Sequence, residues 1–590
     1  MTKAALAPQQ LITENLPTLS YQVAMGQPTS HLFEVTLQVK GWQASVLTLK
    51  MPVWTPGSYL VREYARLVQD FCASGPEGQV LVSQKTRKNE WEIETSAVSE
   101  ITVKYRVFAH ELTVRTNHLD ATHGYFNGAA LFFFVPGLEK HPITVTIVPP
   151  HPDWRVTTAL PAIPGQEHTY QAQDFDTLVD SPFEIGIHQL YEFDVLGKPH
   201  QLAIWGQGNA VAAKIIEDTQ KIIKVQAELF GGLPYEKYLF LLHLSGNGYG
   251  GLEHKNSCSL IYSRFGFRDK SQYNAFLQLV AHEFFHLWNV KRIRPKALEV
   301  FDYEAENYTT SLWFSEGTTS YYDIVIPYWA KLYDSKNLLE NFSKDITRYL
   351  QIPGRKVQTL GESSFDAWIK LYRRDANSDN SQISYYLKGE LVSLLLDLLI
   401  RSRHNNQRSL DDVMRQLWEK FGKSEIGFTP QQLQEILESV AGMDLNDFLA
   451  KYIDGTDELP FEEYLEPFGL QLEKVIEQEA IPSLGIKAQS ENGKEKIKFV
   501  EIGSPACQAG IDAEDELLAL DGIKITANQL NERLKDYQAG DKIKITVFHQ
   551  DELRTLTVEL AAPQPSRYEL VKMKNLSPSQ QENHYGWLKS

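Results

Sequence analysis

Three observations predict a multidomain α+β fold. Short strand-like segments fill the chain up to about residue 190, long amphipathic helical segments fill the middle, and short strands return after Phe468. At 590 residues the chain is too long for one ordinary domain. The boundaries drawn from these shifts are an N-terminal domain over 1–190, a central catalytic-type α/β domain over 191–467, a C-terminal β-rich module over 468–562 and a tail over 563–590.

In the first domain LFEVTLQV, SVLTLKMPV, EITVKYRVF and ITVTIV alternate or are β-branched, with Gly, Pro, Asn and Asp between them. No helical period is evident there, so an antiparallel β-sandwich-like domain is expected. In the second, AAKIIEDTQKIIKVQAELFG reads as a helix that leads through a Gly-Gly-Leu-Pro turn to the strand YLFLLHL, and amphipathic helices follow. In the third, SLGIKA, KIKFVEI, ELLALDG, KIKITVFH and RTLTVEL read as strands around one helical segment, NQLNERLKDY. The polar segment after Pro563 either trails as a tail or packs back on the body.

Composition narrows the function classes. Hydrophobic residues at 43% and charged residues at 23% are the balance of soluble, core-forming domains. A net charge of -17 gives no basic face for phosphates, so no nucleic-acid partner is expected. Cys72, Cys258 and Cys507 are scattered thiols without a CxxC, which fits a reducing compartment. The first residues lack the apolar core of a signal peptide. The most apolar helical stretch, Leu391–Ile400, is interrupted by Ser393 and Asp397 and is too short to span a bilayer. A cytoplasmic protein with no membrane partner is the expectation.

The chemistry concentrates in the middle third. HEFFH, His282–His286, lies in SQYNAFLQLVAHEFFHLWNVKRIRP, where Ser271 is a plausible N-cap, Lys291 and Arg292 suit the helix end and Pro295 stops it. On a helix His282 and His286 lie roughly 40° apart, so both imidazoles can reach one metal. Glu283 sits beside that face, where its carboxylate can take a proton from the attacking water. Thirty residues beyond His286, in LWFSEGTTSYYD, Glu316 offers a third ligand and leaves a fourth tetrahedral position open. Asp323, seven residues on, returns to the same helical face and can hydrogen-bond a ligand histidine. One zinc per chain is the expected cofactor.

HEFFHLWNVKRIRP with WFSEG resembles the gluzincin metallopeptidases, which include thermolysin-like enzymes and aminopeptidase N. MPVWTPGSYLVREYAR, Met51–Arg66, and GGLEH at 250–254 are similar to segments of the glycyl aminopeptidase family, whose members commonly carry a C-terminal PDZ domain. The resemblance implies a thermolysin-like gluzincin catalytic domain and removal of N-terminal residues, Gly or other small ones, from peptides with a free N-terminus. Where thermolysin-like enzymes have an Asp four residues after the third ligand this chain has Ser320, so Asp323 serves instead, as in the aminopeptidase N pattern.

Gly246, Gly248 and Gly251 formally match GxGxxG, but LEHKNSCSLIYS after them reads as a strand, so no dinucleotide site is expected. A glycine-rich strand edge for a peptide fits better, with Gly250 and Gly251 allowing close backbone approach. GGLEH is similar to the GAMEN motif of aminopeptidase N, which implies that Glu253 binds the substrate amine. YLKG, Tyr386–Gly389, resembles the Tyr-x-Lys-Gly of that family, which implies that Tyr386 stabilises the oxyanion, with Tyr385 its rival. Residues 470–562 resemble a PDZ domain: SLGI at 483–486 takes the place of its carboxylate loop, and amides near Leu484, Gly485 and Ile486 would cap a C-terminal peptide ligand. His123 and His254 read as hydrogen-bonded structural residues. The competing functions are a zinc endopeptidase of the same fold and a PDZ-centred peptide-binding protein with an inactive peptidase domain.

Overall fold

Residues 16–96, 98–476 and 481–588 are described in the computed structural model; residues 1–15, where the absence of a signal peptide was read, lie outside them. The chain divides into two compact units. The first runs up to Asn209 and takes in Tyr235–Phe265 and Asp302–Ala305; the second holds Ala210–Pro234, Gly266–Phe301 and the chain from Glu306 on.

The first unit is β-rich. Its largest sheet has the strand order Thr169–Ala172, Ile143–Val148, Thr18–Ala24, Leu32–Lys40, Glu100–Phe108, Val68–Ser74 and Val80–Leu81. Alternation decides which face is buried: Phe33, Val35, Leu37 and Val39 point into the core while the residues between them do not. The sheet departs from the antiparallel expectation at one place, where Thr18–Ala24 pairs parallel to Ile143–Val148. These strands are far apart in sequence, so no hairpin fixes their direction. One short helix, Phe175–Val179, also escaped the sequence reading; Asp174 caps it by accepting from the Thr177 amide at 2.7 Å. Five residues are too few to show a helical period.

A five-stranded sheet of the same unit runs in the order Gln189–Val195, Lys198–Trp205, Tyr238–Ser245, Ser257–Ser263 and Gly250–Glu253. The glycine-rich segment thus forms an edge strand, as expected, and a strand follows it where a nucleotide-binding loop would have a helix.

The second unit is mainly helical, and its helices include α1 (Ala212–Phe230), α2 (Lys270–Phe285), α3 (Thr318–Trp329), α4 (Ser335–Leu350) and α5 (Tyr385–Arg403). Tyr273, Phe276, Leu277, Val280, Ala281 and Phe284 put helical spacing on the buried side of α2. Each large side chain so buried stabilises by about 1.5–3 kcal/mol. The helix is clamped on both sides. Gln226 of α1 donates to the Ala281 carbonyl at 2.9 Å, and Phe285 stacks on Tyr322 of α3 at 4.6 Å. The N-cap is Asp269, not Ser271; its carboxylate accepts from the Gln272 amide at 2.9 Å. The regular helix ends at Phe285, earlier than the sequence suggested, and Arg292 caps the following turns by donating to the Leu287 carbonyl at 2.8 Å.

Helix α5 is almost wholly buried, and the polar residues that interrupt its apolar run bond to its neighbours. Ser393 lies 2.9 Å from the Thr318 hydroxyl, and Asp397 accepts from Tyr321 at 2.6 Å and from Arg401 at 2.7 Å. Among the described residues no helix is long and apolar enough to cross a membrane.

The C-terminal β-rich module closes a sheet of Ile486–Glu491, Lys494–Val500, Glu516–Leu520, Lys542–His549 and Glu552–Glu559 around Ile497, Leu517, Ile543 and Ile545. It is anchored to the helical part of its unit by Asn380, which donates to the Val500 carbonyl at 2.9 Å and accepts from the Ile502 amide at 3.1 Å. The chain after it returns to the helices: Arg567–Lys572 pairs with Leu470–Val475, and a helix over Pro578–Leu588 buries Trp587 against Phe342 and Phe468. Trp587 is 2% exposed, and its indole N–H donates to Tyr321 at 3.5 Å. Trp587→Ala should therefore cost about 3–5 kcal/mol, the cavity cost of a buried aromatic, read from denaturant midpoints of the full chain.

Candidate metal centre

Helix α2 presents His282 and His286 one turn apart, with ring centroids 4.6 Å from each other. Glu316 arrives from a separate segment: Trp313–Gly317 winds as a single π-helical turn that runs directly into α3. Its Oε2 lies 3.2 Å from His286 Nε2 and 3.5 Å from His282 Nε2. The three donor atoms fall within 4.8 Å of one another. All three candidate ligands are thus brought together.

Each imidazole is oriented from behind. His282 Nδ1 lies 2.8 Å from Asp323 Oδ2, one helical stretch beyond Glu316 on α3. His286 Nδ1 lies 2.6 Å from the Asn289 carbonyl. With each Nδ1 turned to an oxygen acceptor, it is the Nε2 atom of each ring that faces Glu316. Two neutral imidazole nitrogens and a carboxylate oxygen are the donor set of a catalytic zinc, so the residues present fit that ion. Burial pushes the Glu316 carboxyl up, but the two imidazoles outweigh it and hold it below its usual range. Burial also pushes the Asp323 carboxyl up, against the pull of His282.

Asn289 is a residue that motif spacing did not single out. It is fully buried, and its amide donates to the Phe314 carbonyl at 3.0 Å and the Ser315 carbonyl at 3.2 Å. One side chain therefore ties the turn after HEFFH to the turn that carries Glu316. The only signal in the sequence is an asparagine inside an otherwise apolar, buried run.

Two glycines fix how closely the helices approach. A Cβ built on Gly317 would lie 2.5 Å from the Gly389 Cα, and one built on Gly389 would lie 2.6 Å from the Trp313 carbonyl oxygen. The glycines of WFSEG and YLKG are thus one contact, backbone against backbone. It brings Tyr386 beside the metal face, its ring 6.3 Å from that of His282. Tyr386 is half-buried whereas Tyr385 is fully buried, and Tyr372 bonds to both hydroxyls, at 3.1 and 3.2 Å. Burial and then the nearby Glu316 push the Tyr386 hydroxyl well above its ordinary value, so it stays a hydrogen-bond donor. Glu283, on α2 between the two histidines, is 5% exposed.

Gly250, Gly251 and Glu253 lie in the first unit, on the edge strand Gly250–Glu253. Glu253 is 3% exposed, and its Oε1 has no hydrogen-bond partner. Its carboxylate rests on Gly57, where φ is +86° and an added Cβ would meet Glu253 Oε1 at 2.5 Å. The two family-like strings, Met51–Arg66 and 250–254, therefore meet at one carboxylate. His254 lies 3.2 Å from Asp180, a structural pairing as expected. In the C-terminal module Leu484 is buried in the core, and Gly485 has φ +78° against Ser504. Leu484, Gly485 and Ile486 open with Leu530 and Leu534 onto a groove of about 650 Å³.

Comparison with known proteins gives three family matches: the peptidase M61 N-terminal domain over residues 20–187, M61 glycyl aminopeptidase over 275–392 and a PDZ domain over 482–560. Among solved structures, an aminopeptidase N family protein from Idiomarina loihiensis is 33% identical, with a TM-score of 0.91, covering 97% of this chain and 100% of its own. An M1 zinc metallopeptidase from Deinococcus radiodurans is 13% identical with a TM-score of 0.47, over 75% of this chain and 94% of its own. No curated protein sequence matches.

Gly389→Ala should cost about 1–3 kcal/mol by overpacking and weaken zinc binding, because relief of the clash displaces the Glu316 turn. Asp323→Ala should lower zinc affinity by about 10- to 100-fold. Chelator competition on the folded variants measures both. Unchanged affinity in Gly389→Ala would show that the helices separate without moving Glu316.

Proposed function

Because this chain belongs to the M61 glycyl aminopeptidase family and is a zinc metallopeptidase, we propose that it removes Gly or another small residue from the free N-terminus of peptides. The observation that carries the reading is the convergence of His282, His286 and Glu316 beside Glu283, each imidazole held in the ligand tautomer by an oxygen on its far side.

In this reading His282, His286 and Glu316 hold one zinc. When bound, zinc supplies a Lewis acid for the scissile carbonyl and for the attacking water. Glu283 takes a proton from that water and passes it to the leaving amine. Tyr386 donates a hydrogen bond to the oxygen on which negative charge develops, and Tyr372 holds its hydroxyl. Asp323 and the Asn289 carbonyl keep the imidazoles aimed. Glu253 recognises the substrate ammonium; its buried, unpartnered Oε1 and the space cleared at Gly57 support this role. Gly250 and Gly251 offer an edge strand to the peptide backbone. The groove at Leu484–Ile486 takes a C-terminal peptide.

Glu283→Gln should retain zinc and lose activity by about 10²–10⁴-fold or more. Tyr386→Phe should retain zinc and lower kcat more than it changes KM, because its bond strengthens with the oxyanion. Tyr385→Phe should do less, since that hydroxyl is fully buried.

A charge-assisted bond from Glu253 to the ammonium is worth roughly 1.5–3 kcal/mol, or about 10- to 150-fold in kcat/KM. N-acetylated Gly or Ala peptides should therefore be poor substrates, and Glu253→Gln should narrow the gap. Internal cleavage of acetylated peptides at the rate of the free forms would make the enzyme an endopeptidase.

A further inference from the structure

The first unit contains a second convergence of metal-type donors. His123 and Glu184 come from the antiparallel pair His123–Phe126 and Phe183–Gly186, in which Tyr125 faces Glu184 and His123 faces Gly186. His243 comes from Tyr238–Ser245 in the five-stranded sheet of the same unit. Glu184 Oε1 lies 2.6 Å from His123 Nε2, and Oε2 lies 2.8 Å from His243 Nε2. The three side chains are no more than 1% exposed, and their donor atoms fall within 4.8 Å of one another.

Hydrogen bonding among the side chains leaves much of this cluster unexplained. Glu184 Oε2 is bonded to His243, while His123 Nε2 and Glu184 Oε1, 2.6 Å apart as an ion pair, lack hydrogen-bond alignment and have no other partner among the described residues. Among the described residues, Nδ1 of His123, of His188 and of His243 are also buried without a hydrogen-bond partner. Buried polar atoms are nearly always paired, and a cation among the two Nε2 atoms and the carboxylate would give Glu184 Oε1 and His123 Nε2 the partner they lack. The side-chain partners of Glu184 among the described residues are imidazoles alone. A fully buried carboxylate in such company is costly unless a cation compensates it.

His188 stands at the edge of this group of three. Its Nε2 is held 2.8 Å from the Thr157 hydroxyl, and its Nδ1 lies 3.8 Å from Glu184 Oε1. Trp205 covers the cluster, stacked on His123 at 4.1 Å, and Tyr125 meets His243 edge-on at 4.7 Å. Two converging imidazoles and one carboxylate, with a third imidazole at the edge and aromatic rings around them, have the composition of a buried structural site and not of an open catalytic one.

We propose that His123, Glu184 and His243, with His188 beside them, form a structural site for a zinc-class divalent cation, which clamps two sheets of the first unit together. The reading of His123 as merely hydrogen-bonded is thereby replaced, and the chain holds two ions instead of one.

The test uses the full chain, purified without chelator and equilibrated with zinc alone. Metal analysis should give two equivalents per chain, and anomalous diffraction at the zinc edge should show one peak among His123, Glu184 and His243 and another at His282, His286 and Glu316. Glu184→Gln should lose only the first peak, and His286→Ala should leave it in place. A single equivalent in the unaltered protein, with its one peak at the His282 site, overturns the proposal. That outcome leaves the catalytic reading intact, and because the unaltered protein decides it, the folding of the variants does not.

Discussion

The contact of Gly317 with Gly389 is the constraint on which the metal centre rests. Two buried helical segments meet with no side chain between them, so the residues that flank the glycines are delivered to one place. Glu316 precedes one glycine and Tyr386 is three residues before the other. A methyl group at either position has only backbone to displace, and packed interiors do not yield by an ångström without cost. The π-helical turn at Trp313–Gly317 belongs to the same constraint. It occurs where α3 must bring Glu316 toward α2 and still pass against α5.

Around this contact the polar residues of the helical layer form linked bonds. Asn289 joins the HEFFH turn to the Glu316 turn, Thr318 meets Ser393, and Tyr321 meets Asp397, which is itself held by Arg401. These groups sit in a low-dielectric interior, where a satisfied network fixes geometry and a broken one is expensive. Ser393 and Asp397, which interrupt the most apolar stretch of the sequence, mark where α5 is tied to α3.

Much of this was legible in the sequence because it is local. Period 3.6 placed His282 and His286 on one face, period 2 marked the strands of the first unit, and glycine, proline and capping residues marked most of the breaks. The three-part α+β organisation followed from where those periods change. What escaped was nonlocal or too short. Asn289 acts through carbonyls some 25 residues away, and nothing in its own neighbourhood announces that. The glycines of WFSEG and YLKG could be read as motif letters but not as each other's partners. Asp269 displaced Ser271 as the cap because backbone geometry, not residue type alone, selects the capping oxygen. His123, Glu184 and His243 share no motif spacing, since strands from two sheets bring them together.

The return of the chain to the helices also sets the timing of assembly during synthesis. Trp587 reaches Tyr321 across a sequence separation of 266 residues, and Tyr321 stands on α3 two residues from Asp323. At the usual pace of translation, about 5–20 residues per second, α3 waits on the order of tens of seconds after leaving the ribosome before that partner exists. Through this interval the apolar surface that Trp587 will cover is open. The nascent peptidase therefore completes its helical layer only once the residues around Trp587 have been made, and that layer is most exposed to chaperones and proteases just before then.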